Sequence, residues 1–257
     1  MKVQVLIPKI FDFPFTYESK KIKTKVGDLV EVPFGLKKEF GVVWKDKLSE
    51  SKKFKIKNIS KKIYNYSLNK KLVDFIEWFA LYNMVPLGLV LKMVIGNKDN
   101  LFKKKDNNFT LRKTEYKEYH LNNEQLASLK FLEQTEDRFD VTVLQGTTGS
   151  GKTLVYFERI KRILTKNKQA LILLPEIFLT NEFKHRFEDF FGFEPAVWHS
   201  KITPKKKRII WNGILKNKIK LVIGARSALL LPFKKLGIII VDEEHDTSYK
   251  QDEGVIY

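Results

Sequence analysis

Short stretches that alternate apolar and polar residues fill the first sixty positions. Val3-Gln4-Val5-Leu6-Ile7, Asp28-Leu29-Val30-Glu31-Val32 and Glu39-Phe40-Gly41-Val42-Val43-Trp44 read as strands, and Gly27, Pro33 and Gly35 punctuate them. They predict a small antiparallel sheet or barrel. From Asn69 to Tyr82 the period lengthens, with Leu72, Phe75, Ile76 and Phe79 on one helical face and Trp78 and Tyr82 flanking it. Residues 97–119 are polar and lysine-rich (Lys103-Lys104-Lys105, Asp106-Asn107-Asn108) and read as a linker. Beyond it, Leu121–Ala127 opens a helix with Asn122 or Asn123 as N-cap. Four apolar runs follow, Val141–Gln145, Ala170–Leu174, Leu221–Gly224 and Leu236–Val241, alternating with helical stretches. Such strands make a parallel sheet buried on both faces, which binds ligands at the strands' carboxyl ends. The chain thus divides into a β-rich domain over 1–96, a linker over 97–119 and an α/β lobe over 120–257.

Two motifs sit at those carboxyl ends. Gly146-Thr147-Thr148-Gly149-Ser150-Gly151-Lys152-Thr153 satisfies the pattern G-x-x-x-x-G-K-[ST], between the run Val141–Gln145 and a helical run from Leu154 to Leu164. Glycines let successive backbone N–H groups close around phosphate oxygens, and a helix N-terminus adds positive potential. Lys152 would reach the β- and γ-phosphates, and the Thr153 hydroxyl would ligate Mg²⁺. The second motif, Asp242-Glu243-Glu244-His245, follows the apolar run Gly237–Val241. Asp242 is expected to hold Mg²⁺ through water, and Glu243 to polarise an attacking water as general base.

Composition narrows the chemistry. With no cysteine in 257 residues there is no disulfide, no thiolate nucleophile and no cysteine zinc site, and no two of the four histidines have metal-site spacing. No run of eighteen apolar residues and no signal-peptide core exist, so a cytoplasmic protein without membrane contact is expected. The net charge of +18 suggests a polyanionic partner, although lysine, asparagine and isoleucine enrichment also follows from an AT-rich genome. Distribution says more: residues 1–119 carry 26 Lys/Arg against 13 Asp/Glu, and residues 120–257 carry 22 against 17. The N-terminal part is therefore the better candidate for nucleic acid. Its hairpin tip Pro33-Phe34-Gly35-Leu36-Lys37-Lys38 suits base stacking and phosphate contact, or is a solvated turn with Phe34 in the core.

The phosphate loop and the D-E-E-H box resemble superfamily 2 DNA helicases, and the flanking residues resemble the primosomal protein N′ family of replication-restart helicases. The residues that carry this are the loop with Val155-Tyr156, then Leu174-Pro175-Glu176-Ile177, Trp198-His199-Ser200, Ile223–Leu229, Asp242–Asp246 and Ser248–Gly254. Phe15-Thr16-Tyr17 and Val30–Gly35 look like the family's 3′-end-binding domain. The resemblance implies a RecA-like P-loop lobe behind a small β-rich DNA-binding domain, ATP and Mg²⁺ as cofactors, and 3′-to-5′ unwinding. It further implies that Gln125 reads adenine and that Thr180, Arg226 and Ser227 face a single strand. Tyr249, Lys250 and Gln251 would couple DNA contact to hydrolysis. Gln125 as an ordinary helix-surface residue and Arg226 as an ion-pair partner remain open, as does a purely solvated role for Lys205-Lys206-Lys207-Arg208. Forked DNA is the implied partner, with single-strand-binding and primosome proteins beside it at the nucleoid.

Three departures from the family pattern shape the expectation. With the sequence ending at Tyr257, the second lobe, its arginine fingers and the family's cysteine-rich zinc region are expected to be missing, leaving nucleotide binding with slow hydrolysis. The linker leaves no room for a winged-helix domain. Thr16 stands where family members often have an Asp that contacts the terminal base.

Overall fold

The computed structural model describes residues 1–46, 56–96, 116–134, 138–175, 178 and 180–249. Five antiparallel strands open the chain: β1 (Lys2–Leu6), β2 (Phe15–Glu18), β3 (Asp28–Phe34), β4 (Lys37–Asp46) and β5 (Lys61–Ser67). Their order across the sheet is β2-β1-β4-β3-β5. Val3, Val5, Val30, Val32 and Val43 close one face of it, and Leu6, Leu29, Val42 and Trp44 pack on the other. The β3–β4 hairpin pairs Phe34 with Lys37, so Gly35 and Leu36 form the expected tip, with Gly35 at a φ of 59°. β2 and β5 are additions to the three predicted strands.

Two helices cover the sheet. In α1 (Lys70–Tyr82) the Asn69 side chain caps the first turn by accepting from the Leu72 N–H, and α2 (Leu87–Ile95) follows. The Trp44 indole donates to Glu77 Oε1 at 2.6 Å, pinning β4 to α1.

The second unit has a four-stranded parallel sheet ordered β7-β8-β6-β9, from β6 (Gln169–Leu173), β7 (Ala196–Trp198), β8 (Leu221–Gly224) and β9 (Leu236–Val241). Between them run α3 (Asn123–Glu133), α4 (Lys152–Thr165), α5 (Asn181–Phe191) and α6 (Pro204–Leu215). Asn122 and Gln125 form a reciprocal capping box at the start of α3. The ring of Phe157 on α4 meets Phe187, Phe190 and Phe191 of α5 at centroid distances of 5.0–5.9 Å. Tyr116 and Tyr119, at the end of the expected linker, lie against this phenylalanine cluster, Tyr119 stacked on Phe190 at 5.3 Å. The remainder of the linker, 97–115, lies outside the described residues.

One expected strand is corrected. Val141–Gln145 is not part of the sheet: Val141 and Val143 are exposed, and no ladder partner pairs with them among the described residues. A β-branched run becomes a strand only when a neighbouring strand takes up its backbone groups, and this run lacks one. Correspondingly, among the described residues β9 pairs with β6 alone, and Leu236, Ile239 and Val241 keep substantial exposure.

The two sheets are not separate bodies. A single buried cluster runs from Leu6, Leu29, Ile76, Val90 and Val94 into Leu171, Leu173, Ile210, Trp211, Ile214, Val222 and Leu231. Trp211 of α6 is its pivot. Its ring stacks on Tyr66 at 6.2 Å, and its indole N–H donates to the Val94 carbonyl at 2.8 Å, meeting an acceptor in the last turn of α2. Asn69 Nδ2 donates to the Phe233 carbonyl across the same junction at 2.6 Å. Burying one Trp removes roughly 150–250 Å² from water, worth roughly 4–6 kcal/mol. Trp211→Ala is therefore expected to lower the unfolding free energy by about 3–5 kcal/mol in urea melts. Trp78→Ala, on the exposed face of α1, should cost about 1 kcal/mol or less.

Candidate nucleotide site

The phosphate loop spans residues 146–151 and hands over to α4 at Lys152. Gly149 and Gly151 have φ of 81° and 83°, left-handed conformations that a side chain would strain. At Gly151 space is also closed, since a Cβ would stand 2.3 Å from Gln125 Nε2. Gln125 reaches the loop directly, donating from Nε2 to the Ser150 carbonyl at 3.1 Å. Its Oε1 accepts from the Asn122 N–H, so the capping box that starts α3 also aims this side chain. The Lys152 ammonium folds over the loop onto the carbonyls of Gly146 (2.5 Å) and Thr147 (3.0 Å). An ammonium carries three donors and no acceptor, so it takes whatever oxygens lie nearest.

The D-E-E-H tip stands against the same helix. Asp242 follows β9 and donates its N–H to the Leu173 carbonyl at 3.1 Å, which registers it on the end of β6. Oδ1 accepts from the Glu243 N–H at 3.1 Å, and Oδ2 accepts from the Tyr156 phenol at 2.8 Å. Tyr156 is 5 % exposed. Thr153 stands one turn before it on the same face of α4. Tyr156 therefore ties the helix that carries Thr153 to Asp242, the two groups expected at the metal, and no sequence reading had placed it there. A hydroxyl and a carboxylate are hard oxygen donors of the kind Mg²⁺ takes, so the residues fit that ion. Glu243 holds a φ of 52°, which costs of order 1 kcal/mol or more outside glycine, and its carboxylate lies 3.7 Å from His245 Nε2.

Sites expected at DNA are placed as follows. Thr180 caps α5, accepting from the Phe183 N–H. Arg226 and Ser227 begin the 3-10 turn Arg226–Leu230 beyond β8, and Arg226 Nη1 donates to the Tyr249 carbonyl at 3.2 Å. The Tyr249 phenol turns inward to the Asp242 carbonyl at 2.8 Å. Arg226, Tyr249 and Asp242 thus form one connected chain of contacts. Lys250, like Glu176 and Ile177, lies outside the described residues. In the N-terminal sheet Phe34 is half-buried, edge-on to Phe11 (5.6 Å) and Phe15 (5.2 Å), with Lys9 Nζ 5.2 Å from its ring centroid. Lys37 is exposed, and Lys38 pairs with Glu31 at 3.5 Å.

Two phenols near the carboxylate tip titrate high. Burial first, then the Asp242 charge and its hydrogen bond, raise Tyr156 well above the ordinary 10.0. Burial first, then Asp242, Asp246 and Glu243, do the same for Tyr249.

Residues 2–96 match the family model described as a 3′ DNA-binding domain, and residues 122–257 match the DEAD/DEAH box helicase model. The replication restart protein PriA of Rickettsia conorii is 42% identical over 99% of this chain, which corresponds to 39% of that protein. PriA of Helicobacter pylori strain J99 is 36% identical over 95% of the chain and 37% of its own length. PriA of Bacillus subtilis is 44% identical over 52% of the chain. The chain therefore spans about two-fifths of the length of the first of these relatives.

The raised phenols make stability pH-dependent in a defined direction. A folded-state value above the unfolded one means the native protein holds its phenol proton longer, so the contribution is full below about pH 10 and is lost as pH rises beyond it. Urea midpoints measured from pH 8 to 11 should fall above pH 10, by at most about 1.4 kcal/mol per unit for each such group. Tyr156→Phe should make that fall shallower.

Proposed function

The chain belongs to the DEAD/DEAH box helicase family, and from that premise we propose that it is the nucleotide-binding and DNA-gripping part of an ATP-dependent 3′-to-5′ DNA helicase of replication restart. The observation that carries the reading is the hydrogen bond by which Tyr156, near the N-terminus of α4, meets Asp242 at the β9 tip. Bound MgATP would supply the phosphoanhydride whose hydrolysis drives movement. The chain's own residues hold it. The loop amides of 146–151 and the Lys152 ammonium would take phosphate oxygens. Thr153 and Asp242 would hold Mg²⁺, and Glu243 would accept the proton of the attacking water. Gln125, already at the loop, reads adenine.

The matched 3′ DNA-binding domain and the basic excess of the N-terminal part support a DNA partner, gripped through phosphates without sequence preference. Phe34, Lys37 and Lys38 would meet DNA in that domain, and Thr180, Arg226, Ser227, Tyr249 and Lys250 in the lobe. The preferred substrate is a forked junction, with single-strand-binding and primosome proteins as further partners in the bacterial cytoplasm at the nucleoid. The sequence contains no cysteine, so this chain itself offers no thiolate for the zinc site of the family. Among the described residues no helix is long and apolar enough to cross a membrane.

A fluorescent ATP analogue titrated onto the chain should saturate in the presence of Mg²⁺, and Lys152→Ala should weaken it by about tenfold or more, the loss of one charge-assisted contact worth roughly 1.5–3 kcal/mol. Equal binding by the two proteins would contradict the reading. Forked DNA should also outcompete RNA of the same length, and its affinity should fall steeply with salt.

A further inference from the structure

Thr153 and Asp242 come from elements separated by almost ninety residues of chain, and a phenol on the helix of Thr153 reaches Asp242. The Tyr156 phenol donates to Asp242 Oδ2 at 2.8 Å. Three features make that link more than incidental packing. Tyr156 lies one turn beyond Thr153 on α4, so both side chains leave the same face of the helix. Its ring is fixed on the buried side, edge-on to Phe157 at 5.2 Å and packed in the cluster of Ile160, Ile172, Leu174 and Phe187. The carboxylate has its other oxygen, Oδ1, committed to the Glu243 N–H, so the phenol removes the remaining rotational freedom of the Asp242 side chain.

We infer that Tyr156 is a positioning residue for the magnesium ion, its phenol fixing the Asp242 carboxylate against the helix that carries Thr153 so that the ion meets a preassembled pair of donors. The inference rests on the nucleotide site proposed above. It assigns to Tyr156 no contact with phosphate or water. Outer partners that orient metal-binding carboxylates change metal affinity by about 10–100-fold when removed, and a hydroxyl-to-hydrogen change in a ring already held by packing keeps the rest of the site in place.

The test is nucleotide binding followed as a function of Mg²⁺ concentration, with Tyr156→Phe beside the parent chain. The parent should show a Mg²⁺ midpoint for saturation by a fluorescent ATP analogue, and Tyr156→Phe should raise that midpoint about tenfold. Binding of the same analogue in EDTA should differ less than about twofold between them, and far-UV circular dichroism should match. In an Asp242→Asn background the effect of Tyr156→Phe on the Mg²⁺ midpoint should vanish, because the phenol then has no carboxylate to orient. An unchanged or lower midpoint in Tyr156→Phe overturns the inference, as does an effect that persists in Asp242→Asn or appears equally in EDTA. A parent chain that never responds to Mg²⁺ instead overturns the nucleotide-site reading itself.

Discussion

The contact on which this molecule depends is the one between α6 and the end of α2. Trp211 inserts its ring between the two halves and satisfies a carboxyl-terminal carbonyl of a helix that belongs to the other half. Asn69 does the reciprocal thing, capping α1 with its oxygen while its amide nitrogen reaches the loop before β9. Both contacts are polar groups paired inside an apolar cluster, where an unpaired group would cost about 1–3 kcal/mol. Sliding the halves apart would leave these groups unpaired and would expose Val94, Ile210, Ile214 and Leu231. The antiparallel sheet and the parallel sheet are for that reason one hydrophobic body.

That body fixes where the chemistry stands. Leu173 at the end of β6 lies in the shared core, and its carbonyl registers Asp242. Tyr249 packs at the edge of the same core, and its phenol and carbonyl tie Asp242 to Arg226. On the other side α4 brings Tyr156 to the carboxylate. Asp242 is therefore held from three directions: the sheet, the segment after it and the phosphate-loop helix. Two of the three holders thus touch the core shared with the antiparallel sheet.

Much of this was legible in the sequence, and what was not has identifiable causes. The glycine-rich turn reads directly because glycine enters the positive-φ region at least cost, as the φ values at Gly149 and Gly151 show. The strand before the D-E-E-H tip reads because its run is fully apolar, and β9 indeed ends at Val241. Asn122 was visible as one of two cap candidates, since capping is local, and the structure picks it. Tyr156 was visible only as part of a matching string: its partner Asp242 lies 86 residues away, and no local pattern encodes a contact of that range. Trp211 was silent for the same reason, as an aromatic on a helix face says that it is buried but not against what. The run Val141–Gln145 failed in the opposite sense. Its β-branched residues state a preference, but a strand exists only where a second strand completes it.

The most direct measurement of whether one core holds both halves is differential scanning calorimetry of the intact chain. Shared burial around Trp211 predicts a single transition, with a calorimetric enthalpy equal to the van't Hoff enthalpy and a lowered but still single midpoint in Trp211→Ala. Two resolved transitions in the parent protein, one for each sheet, would contradict the account.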